Sequence, residues 1–424
     1  MIKHMSKYES YKESNVDWIG KIPKEWDVVR LGGLFSERRT KVSDLDFPAL
    51  SVTKKGILPQ LDSAAKTKDG DNRKLVKCGD FVINSRSDRK GSSGVSDRDG
   101  SVSLINIVLE PQKIEATFCH HLLKSNAFIE EYYRVGRGIV ADLWTTRYDE
   151  MRTISLALPS KTEQVAIAKF LDEKTAQIDE AISIKQKQIE LLKERKQIII
   201  QQAITQGLNP DVPMKDSGVD WIGQIPEHWI VKRAKYLLDE INERSETGLE
   251  ELLSVSHMTG VTPRSEKNVT MFMAEDYTGS KLCHSGDLVI NIMWAWMGAL
   301  GVSDRTGIVS PSYGVFREQR EGTFVPKYLE MLLKSTKYVE YYNKVSTGLH
   351  SSRLRFYGHM LFDMALGFPP YEEQTQIVEH ISRECSKVDE AITVQAEQVS
   401  KLKEYKTTLI NSAVTGKIKV TELA

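Results

Sequence analysis

Residues 161–205, KTEQVAIAKFLDEKTAQIDEAISIKQKQIELLKERKQIIIQQAIT, run without a single glycine or proline. Gln, Glu, Lys, Ala, Ile and Leu dominate the stretch. These residue types lose little rotamer freedom in a helix, and nothing interrupts the hydrogen-bond ladder. One continuous helix is therefore predicted, roughly 65 Å long at about 1.5 Å per residue. Alternating steps of four and three pick out Leu171, Thr175, Ile178, Ile182, Lys185, Ile189, Leu192, Lys196, Ile199 and Ala203. This is an apolar coiled-coil seam with three polar interruptions.

The chain writes this helix twice. Adding 210 gives Ile381, Cys385, Val388, Ile392, Gln395, Val399, Leu402, Lys406, Leu409 and Ala413, and the non-aliphatic layers recur in register (Thr175/Cys385, Lys185/Gln395, Lys196/Lys406). Glu163-Gln164 matches Glu373-Gln374, and Asp179-Glu180-Ala181 matches Asp389-Glu390-Ala391, at the same offset. Amphipathicity alone does not repeat its polar exceptions. Since neither seam has another partner in the chain, the two are expected to pair with each other.

Working outward, residues 14–26 (SNVDWIGKIPKEW) recur as 217–229 (SGVDWIGQIPEHW), identical at nine of thirteen positions. Paired tryptophans around a Gly-x-Ile-Pro turn suggest a hydrophobically anchored lead-in. Trp18, Ile22 and Trp26, with Trp221, Ile225 and Trp229, are its candidate partner-docking residues. The repeat is thus global: lead-in, globular region, long helix, then the same again. The predicted segments are 1–26, 27–157, 158–206, 207–229, 230–367 and 368–424. The globular regions carry short β-type runs (Asp80–Asn84; Asp287–Asn291), glycine-rich turns and a helical patch each, so a mixed α/β (α+β) fold is expected. The second globular region lies between the end of one helix and the start of the other. That connectivity favours antiparallel helices, a pseudo-two-fold arrangement, globular regions at opposite ends of a central rod, and residues 14–26 near the C-terminal tail.

Charge is balanced at 58 basic and 58 acidic residues, which excludes a broad polycationic surface and leaves only local patches for nucleic acid. No apolar run is long enough to cross a bilayer, and MIKHMSKYESYKES is too polar for a signal peptide, so a cytoplasmic protein is expected. The four scattered cysteines form no CxxC and read as reduced thiols.

Catalytic constellations are missing. Phe368-Pro369-Pro370-Tyr371 resembles the Asn/Asp-Pro-Pro-Tyr/Phe loop of amino-methyltransferases, but a Phe stands where that loop needs an amide or carboxylate. It reads as the turn before a helix whose first turn carries Glu372 and Glu373. The Asp-Glu-Ala-Ile pairs resemble an ATPase acidic box without any GxxxxGK[ST] phosphate loop, and read as solvated helix faces. Cys119-His120-His121 has no fourth ligand nearby and reads as structural. Neither a metal nor a cofactor is expected on this chain.

The positive signals point to polyanion contact. Arg86, Ser87, Arg89, Lys90, Ser92 and Ser93 form a donor-rich loop where the second copy has IMWAWMGAL (292–300), with Trp294 and Trp296 as stacking candidates. Identical anchors flank both segments: Gly79-Asp80 with Gly286-Asp287, and Gly94–Arg98 with Gly301–Arg305. A shared scaffold with exchanged loops is how two binding specificities look. Arg134, Arg137 and Arg147 in one half, Lys344, Arg353 and Arg355 in the other, and Lys54 and His257 after early strands complete the candidates.

The doubled WIGxIPxxW lead-in, the proline followed by Glu-Gln at each helix entry (Pro159…Glu163-Gln164; Pro370…Glu373-Gln374) and the Ala-Ile-Thr and Ala-Val-Thr helix ends (203–205; 413–415) together resemble the specificity (S) subunits of type I restriction–modification systems. The likeness covers essentially the whole chain, and residues 286–316 also look like a common variety of that family's target recognition domain. It implies a non-catalytic subunit whose two recognition domains each read one half of a bipartite site in duplex DNA, and because the two loops differ that site is expected to be asymmetric. The paired helices would fix the spacing, within about two turns of B-DNA, and with the lead-ins would seat two methyltransferase (M) subunits. S-adenosylmethionine would belong to those subunits, and ATP with Mg to separate restriction (R) subunits. The alternatives are a stand-alone adenine methyltransferase and a purely structural coiled-coil tether.

Overall fold

The structure, a computed structural model, describes residues 5–60, 70–138, 144–267, 276–348 and 354–420. Eight α-helices occur among the described residues: α1 (Ala116–Leu123), α2 (Asn126–Arg134), α3 (Tyr148–Met151), α4 (Lys161–Gln206), α5 (Pro326–Leu333), α6 (Thr336–Val345), α7 (Gly358–Asp363) and α8 (Tyr371–Val414). The expected mixture of short strands with two long helices is what forms, α4 having 46 residues and α8 44. The chain divides into two compact units, residues 1–187 with 395–424, and residues 188–394. Each unit therefore holds the front half of one long helix and the back half of the other.

In the first unit an antiparallel sheet runs in the order Ser93–Val95, Phe81–Asn84, Asn106–Pro111, Phe35–Glu37. Side chains alternate across a strand, and the central strand uses both faces. Phe81 and Ile83 join Ile107 and Leu109 in the core shared with the helices. Val82 and Val108 face the other way, onto Leu50, Ile57, Val76 and Val102. The second unit repeats this split, with Leu288, Ile290 and Phe316 on the helix side and Val289, Val315, Cys283 and Val309 on the other. The hairpin Leu50–Thr53/Gly56–Pro59 crosses the sheet edge so closely that a Cβ on Gly94 would lie 3.0 Å from Gly56 Cα. At Gly301 the same construction would bring it within 2.9 Å of Gly260 Cα. A side chain is crowded out at both places, which accounts for the repeated glycine that opens Gly-Val-Ser-Asp-Arg.

The repeated Gly-Asp pair has an equally local cause. Gly79 and Gly286 share φ +92, and Asp80 and Asp287 are 2% and 1% exposed. Asp80 takes two bonds from Arg38 (2.7 and 3.1 Å) and one from the Lys77 amide (2.8 Å). Asp287 takes two from Arg317 (2.7 and 2.9 Å) and one from the His284 amide (2.8 Å). The guanidinium comes from just after the strand Phe35–Glu37 in one copy and from within the strand Tyr313–Glu318 in the other, yet the buried carboxylate keeps its fork. Leaving a buried charge uncompensated costs about 3–5 kcal/mol, and here Arg38 keeps Glu110 and Arg317 keeps Glu243, each at 3.0 Å, which holds the loss to the lower end of that range. Asp80→Ala is expected to lose also its amide bond, and so to lower the unfolding transition of the first unit by about 3 kcal/mol, measured by denaturant melts. The more open Arg317 (39% exposed) predicts a smaller loss for Asp287→Ala.

The lead-ins belong to the units' own cores. Ile22, Trp26, Ile225 and Trp229 are between 0 and 2% exposed. The Trp26 indole donates to Glu163 Oε2 at 3.0 Å, and Tyr8 donates to the other oxygen. In the second unit Trp229 donates to Glu373 Oε1 at 3.1 Å, and His228 holds Oε2 at 2.6 Å. The docking role expected for these four residues is corrected on this point: buried side chains bound to their own helix offer nothing to a partner. Trp18 and Trp221 are half-buried, edge-on to Phe128 and Tyr338 respectively.

The neighbouring glutamine completes the motif. Gln164, 1% exposed, accepts the Glu115 amide just before α1 (2.9 Å) and donates to Pro159 O (2.9 Å). Gln374, fully buried, accepts the Val325 amide just before α5 (2.8 Å) and donates to Thr323 O and Pro369 O (both 3.0 Å). In each Glu-Gln pair, the acid holds the lead-in and the amide holds the globular region.

The polar exceptions of the seam meet one another. In the first unit Lys406 Nζ reaches the Asp179 carboxylate at 2.6 Å, and Lys185 Nζ bonds Gln395 (3.2 Å) and Gln398. Residue numbers fall on α8 as they rise on α4, so the halves run antiparallel. In the second unit the equivalent Lys196 reaches Asp389 at 2.6 Å. The Asp-Glu-Ala pairs, expected as plain solvated faces, thus lend their aspartates across the seam. With both aspartates more than half exposed, each ion pair contributes about 1 kcal/mol or less, and its value lies in fixing register. Both helices end on a left-handed glycine, Gly207 (φ +75) and Gly416 (φ +71), the usual C-terminal stop. A side chain on Gly416 would collide with Pro23, and Lys417 Nζ donates to Ile19 O and Lys21 O at 2.7 Å. The tail therefore lies against the first lead-in.

Histidine on α1 makes the first unit acid-sensitive. Partly buried His120 accepts the Val95 amide through Nδ1 at 3.4 Å. Burial first, then the charges of His121 and Lys124, push its pKa down to about 4, against the pull of Asp172. His121, bonded to Asp172 at 2.7 Å, is lowered too, again by burial first. An unfolded histidine takes up its proton near pH 6.5. Between there and pH 4 the unfolded chain binds more protons, so stability is full above this window and falls as the pH drops through it. For His120 alone the loss is about 3 kcal/mol before it is discounted for solvent screening. Glu330 and Met331 stand at the equivalent places in the second unit, so this contribution is absent there. Melts between pH 4.5 and 7.5 should show the first unit's transition falling and His120→Gln flattening the trend.

Candidate nucleic-acid interface

Each unit presents the segment in which the two copies differ directly after the central strand of its sheet. In the first unit that strand ends at Asn84, whose Oδ1 accepts the Arg86 amide at 3.0 Å. Arg86 forms a backbone bridge to Thr145, and Thr145 a second to Arg137. These contacts bring Arg86 and Arg147 to the rim of a groove of about 420 Å³, together with Arg39, Lys74 and exposed Leu104 and Ile105. Lys74 is occupied by Asn106 O (2.8 Å) and Glu37 (3.4 Å), and Arg39 by Glu37 (2.6 Å). No ion pair is found among the described residues for Arg86 or Arg147, which leaves two forks for phosphate or guanine. Arg137 is wide open, 3.7 Å from Glu150.

Other loop residues divide by burial. Arg89 is exposed beside Asp88, and Lys90 is held by Glu130 at 2.6 Å. Ser92 and Ser93 are 5% and 0% exposed, and the Ser87 hydroxyl is buried as well. The donor role expected for these three hydroxyls is corrected: they sit beneath the loop, where Ser93 belongs to the edge strand. Arg134 is bound twice to Glu131 of its own helix, at 2.6 and 2.8 Å. Lys54 lies exposed at the hairpin tip, its carbonyl taken by Lys124 Nζ (3.0 Å). His257 occupies the matching tip in the second unit, beside Met258 at 81% exposed.

In the second unit the two tryptophans separate. Trp294 is 47% exposed, while Trp296 is half-buried behind it, donating its indole N–H to Met293 O at 3.0 Å. Their rings stack at 5.8 Å and 29°. Gly298 (φ +79) closes the turn, and Asn343 of α6 donates to Trp296 O at 2.8 Å. Lys344 is exposed on the same helix, Arg355 is half-buried and bridged to Thr347, and Arg353 lies outside the described residues. A cavity of about 390 Å³ opens beside Trp294, lined by Arg264, Tyr277, Met293 and Tyr313 among others. Sequence reading missed Arg39, Lys74, Arg264 and Tyr277. The Arg-Arg-Thr-Lys run at 38–41 was a usable signal for the first; the last two lie far in sequence from Trp294.

No family model matches the chain. It is 25% identical, over 97% of its length and 98% of the relative's, to the type I restriction enzyme MjaVIII specificity subunit of Methanocaldococcus jannaschii. A chain from a structure on complex assembly and conformational transition of the type I R-M system superposes with a TM-score of 0.66 at 17% identity, covering 93% of this chain and 98% of that one. The HsdS subunit from Thermoanaerobacter tengcongensis superposes with a TM-score of 0.53 at 17% identity, covering 94% and 98%. Over more than nine-tenths of its length this chain is similar in sequence to a type I restriction enzyme specificity subunit, and in fold to chains of type I restriction–modification systems.

Proposed function

We propose that the chain is the DNA-specificity subunit of a type I restriction–modification assembly. It performs no chemistry itself. Each recognition domain reads one half of an asymmetric bipartite site in duplex DNA, and the paired long helices set the spacing and carry the methyltransferase subunits. Methyl transfer from S-adenosylmethionine, and ATP-driven work by restriction subunits, belong to those partners in the cytoplasm. The observation that carries this reading is one scaffold bearing two different readers on the same connection: arginines at 86 and 89, and an exposed indole at 294. With the lead-in tryptophans largely spent in the cores, the docking surface falls to the helices. Leu191 and Ile198 of α4 stand seven residues apart and 50% and 54% exposed. That is the spacing at which a partner helix packs.

Methylome sequencing of a host expressing the chain with its cognate methyltransferase subunit tests the reading. One bipartite, asymmetric motif should appear, and neither chain alone should produce it. Methyl transfer by this chain without a partner would overturn it. Leu191→Glu with Ile198→Glu should leave the chain folded, since both positions face solvent, and should weaken capture of the methyltransferase subunit by about a hundredfold.

A further inference from the structure

The cavity beside Trp294 has the wrong shape for ordinary groove reading. Side chains that read stacked base pairs protrude toward the base edges, whereas here the surface recedes. Its walls are flat or polarisable (Tyr277, Met293, Trp294, Tyr313), and Arg264 and Asn291 add polar groups. Asn291, 5% exposed, ties the floor together: its Nδ2 donates to the Tyr313 hydroxyl (3.3 Å) and its Oδ1 accepts the Met293 amide (3.2 Å). The Trp294 amide donates to Asn291 O at 3.0 Å, so the exposed indole at the mouth is anchored to the same residue. Backed by Trp296, that indole is held in place before anything binds. For Arg264 no ion pair is found among the described residues.

We infer that this cavity takes one unstacked base from the half-site read by the second unit. The inference rests on the DNA-reading function proposed above. A base is planar, with apolar faces and a polar rim, and this site pairs aromatic walls with polar groups at the floor and edge. Unstacking opposes binding, and stacking on a pre-positioned indole offsets it. Trp294 covers the face of the base, while Arg264 and Asn291 meet its edge. The first unit, which offers guanidinium groups at the corresponding connection, reads stacked pairs instead.

The test uses the complex assembled with its methyltransferase subunits, on the site found by methylome sequencing. Along the second unit's half-site, the nucleotide opposite each base is replaced in turn by an abasic residue. At one position other than a methylated adenine, affinity should rise about tenfold or more, because the pairing that opposes extrusion is gone. On the intact site, Trp294→Ala should weaken binding by about tenfold or more, and Trp294→Phe, which keeps a stacking face, should restore most of it. If every abasic position leaves binding unchanged or weaker while the intact site is still methylated, the cavity takes no base and the DNA-reading function stands without it. A complex that recognises no specific DNA would sink both.

Discussion

A chain stopped after Val394 should lose the recognition domain at the opposite end of the sequence and keep the one next to the cut. The first unit draws Val399, Leu409, Ala413, Val414 and Ile418 of the C-terminal segment into its core, all between 0 and 7% exposed. Burying an aliphatic side chain of this size stabilises by about 1.5–3 kcal/mol, so the deletion removes on the order of 10 kcal/mol. That equals the whole stability of an ordinary domain. Asn411, which caps the start of α2 through the Ala127 amide (3.3 Å), is lost with them, as is the Lys417 tie to the lead-in. Residues 188–394 meanwhile retain every member of their own core. Limited proteolysis with mass spectrometry checks the outcome: fragments should come from residues 27–157, with 230–367 protected. Protection of both domains would show that the C-terminal segment does not complete the first core.

The second large effect is on specificity. Exchanging residues 27–157 for the corresponding domain of a relative should rewrite one half of the methylated motif, and leave the other half and the spacing alone. The structure supplies clean joints for this. Asp27–Arg30 pairs antiparallel with Ser155–Leu158, with Asp27 opposite Leu158, so the domain leaves and rejoins the chain at one place. Ile230–Arg233 and Ala365–Phe368 close the second domain in the same way. The exchange keeps Glu163, Gln164 and the seam intact, and requires of the incoming domain a free amide before its first helix to meet Gln164 and an apolar face to match the core shared with the long helices. Methylome sequencing reads the result directly. A change in both half-sites, or in their separation, would mean that the domains are not independent readers.

The large features were legible because they are periodic. A helix seam is a one-dimensional pattern, and when its polar exceptions recur at a fixed offset, chance is a poor explanation. The lysines and glutamines of that seam are now seen meeting across it, Lys185 with Gln395 and Lys406 with Asp179. The Glu-Gln motif was visible as a repeat, but its division of labour was not. That depends on which backbone amide and which indole arrive beside it in three dimensions. The same holds for Ser92 and Ser93, polar by composition yet buried where the edge strand begins, and for Trp26 and Trp229, whose hydrophobicity suits a partner surface and a core equally well.

The amino-acid sequence by itself determined the doubled plan, the two long helices, their pairing and the likeness to specificity subunits, since each is written in local spacing and in repeated short motifs. Only the tertiary structure decided which of the candidate DNA-contact residues are exposed. Exposure of an arginine or an indole depends on neighbours brought from distant parts of the chain, as Glu37 is to Lys74, Thr145 to Arg86 and Asn343 to Trp296.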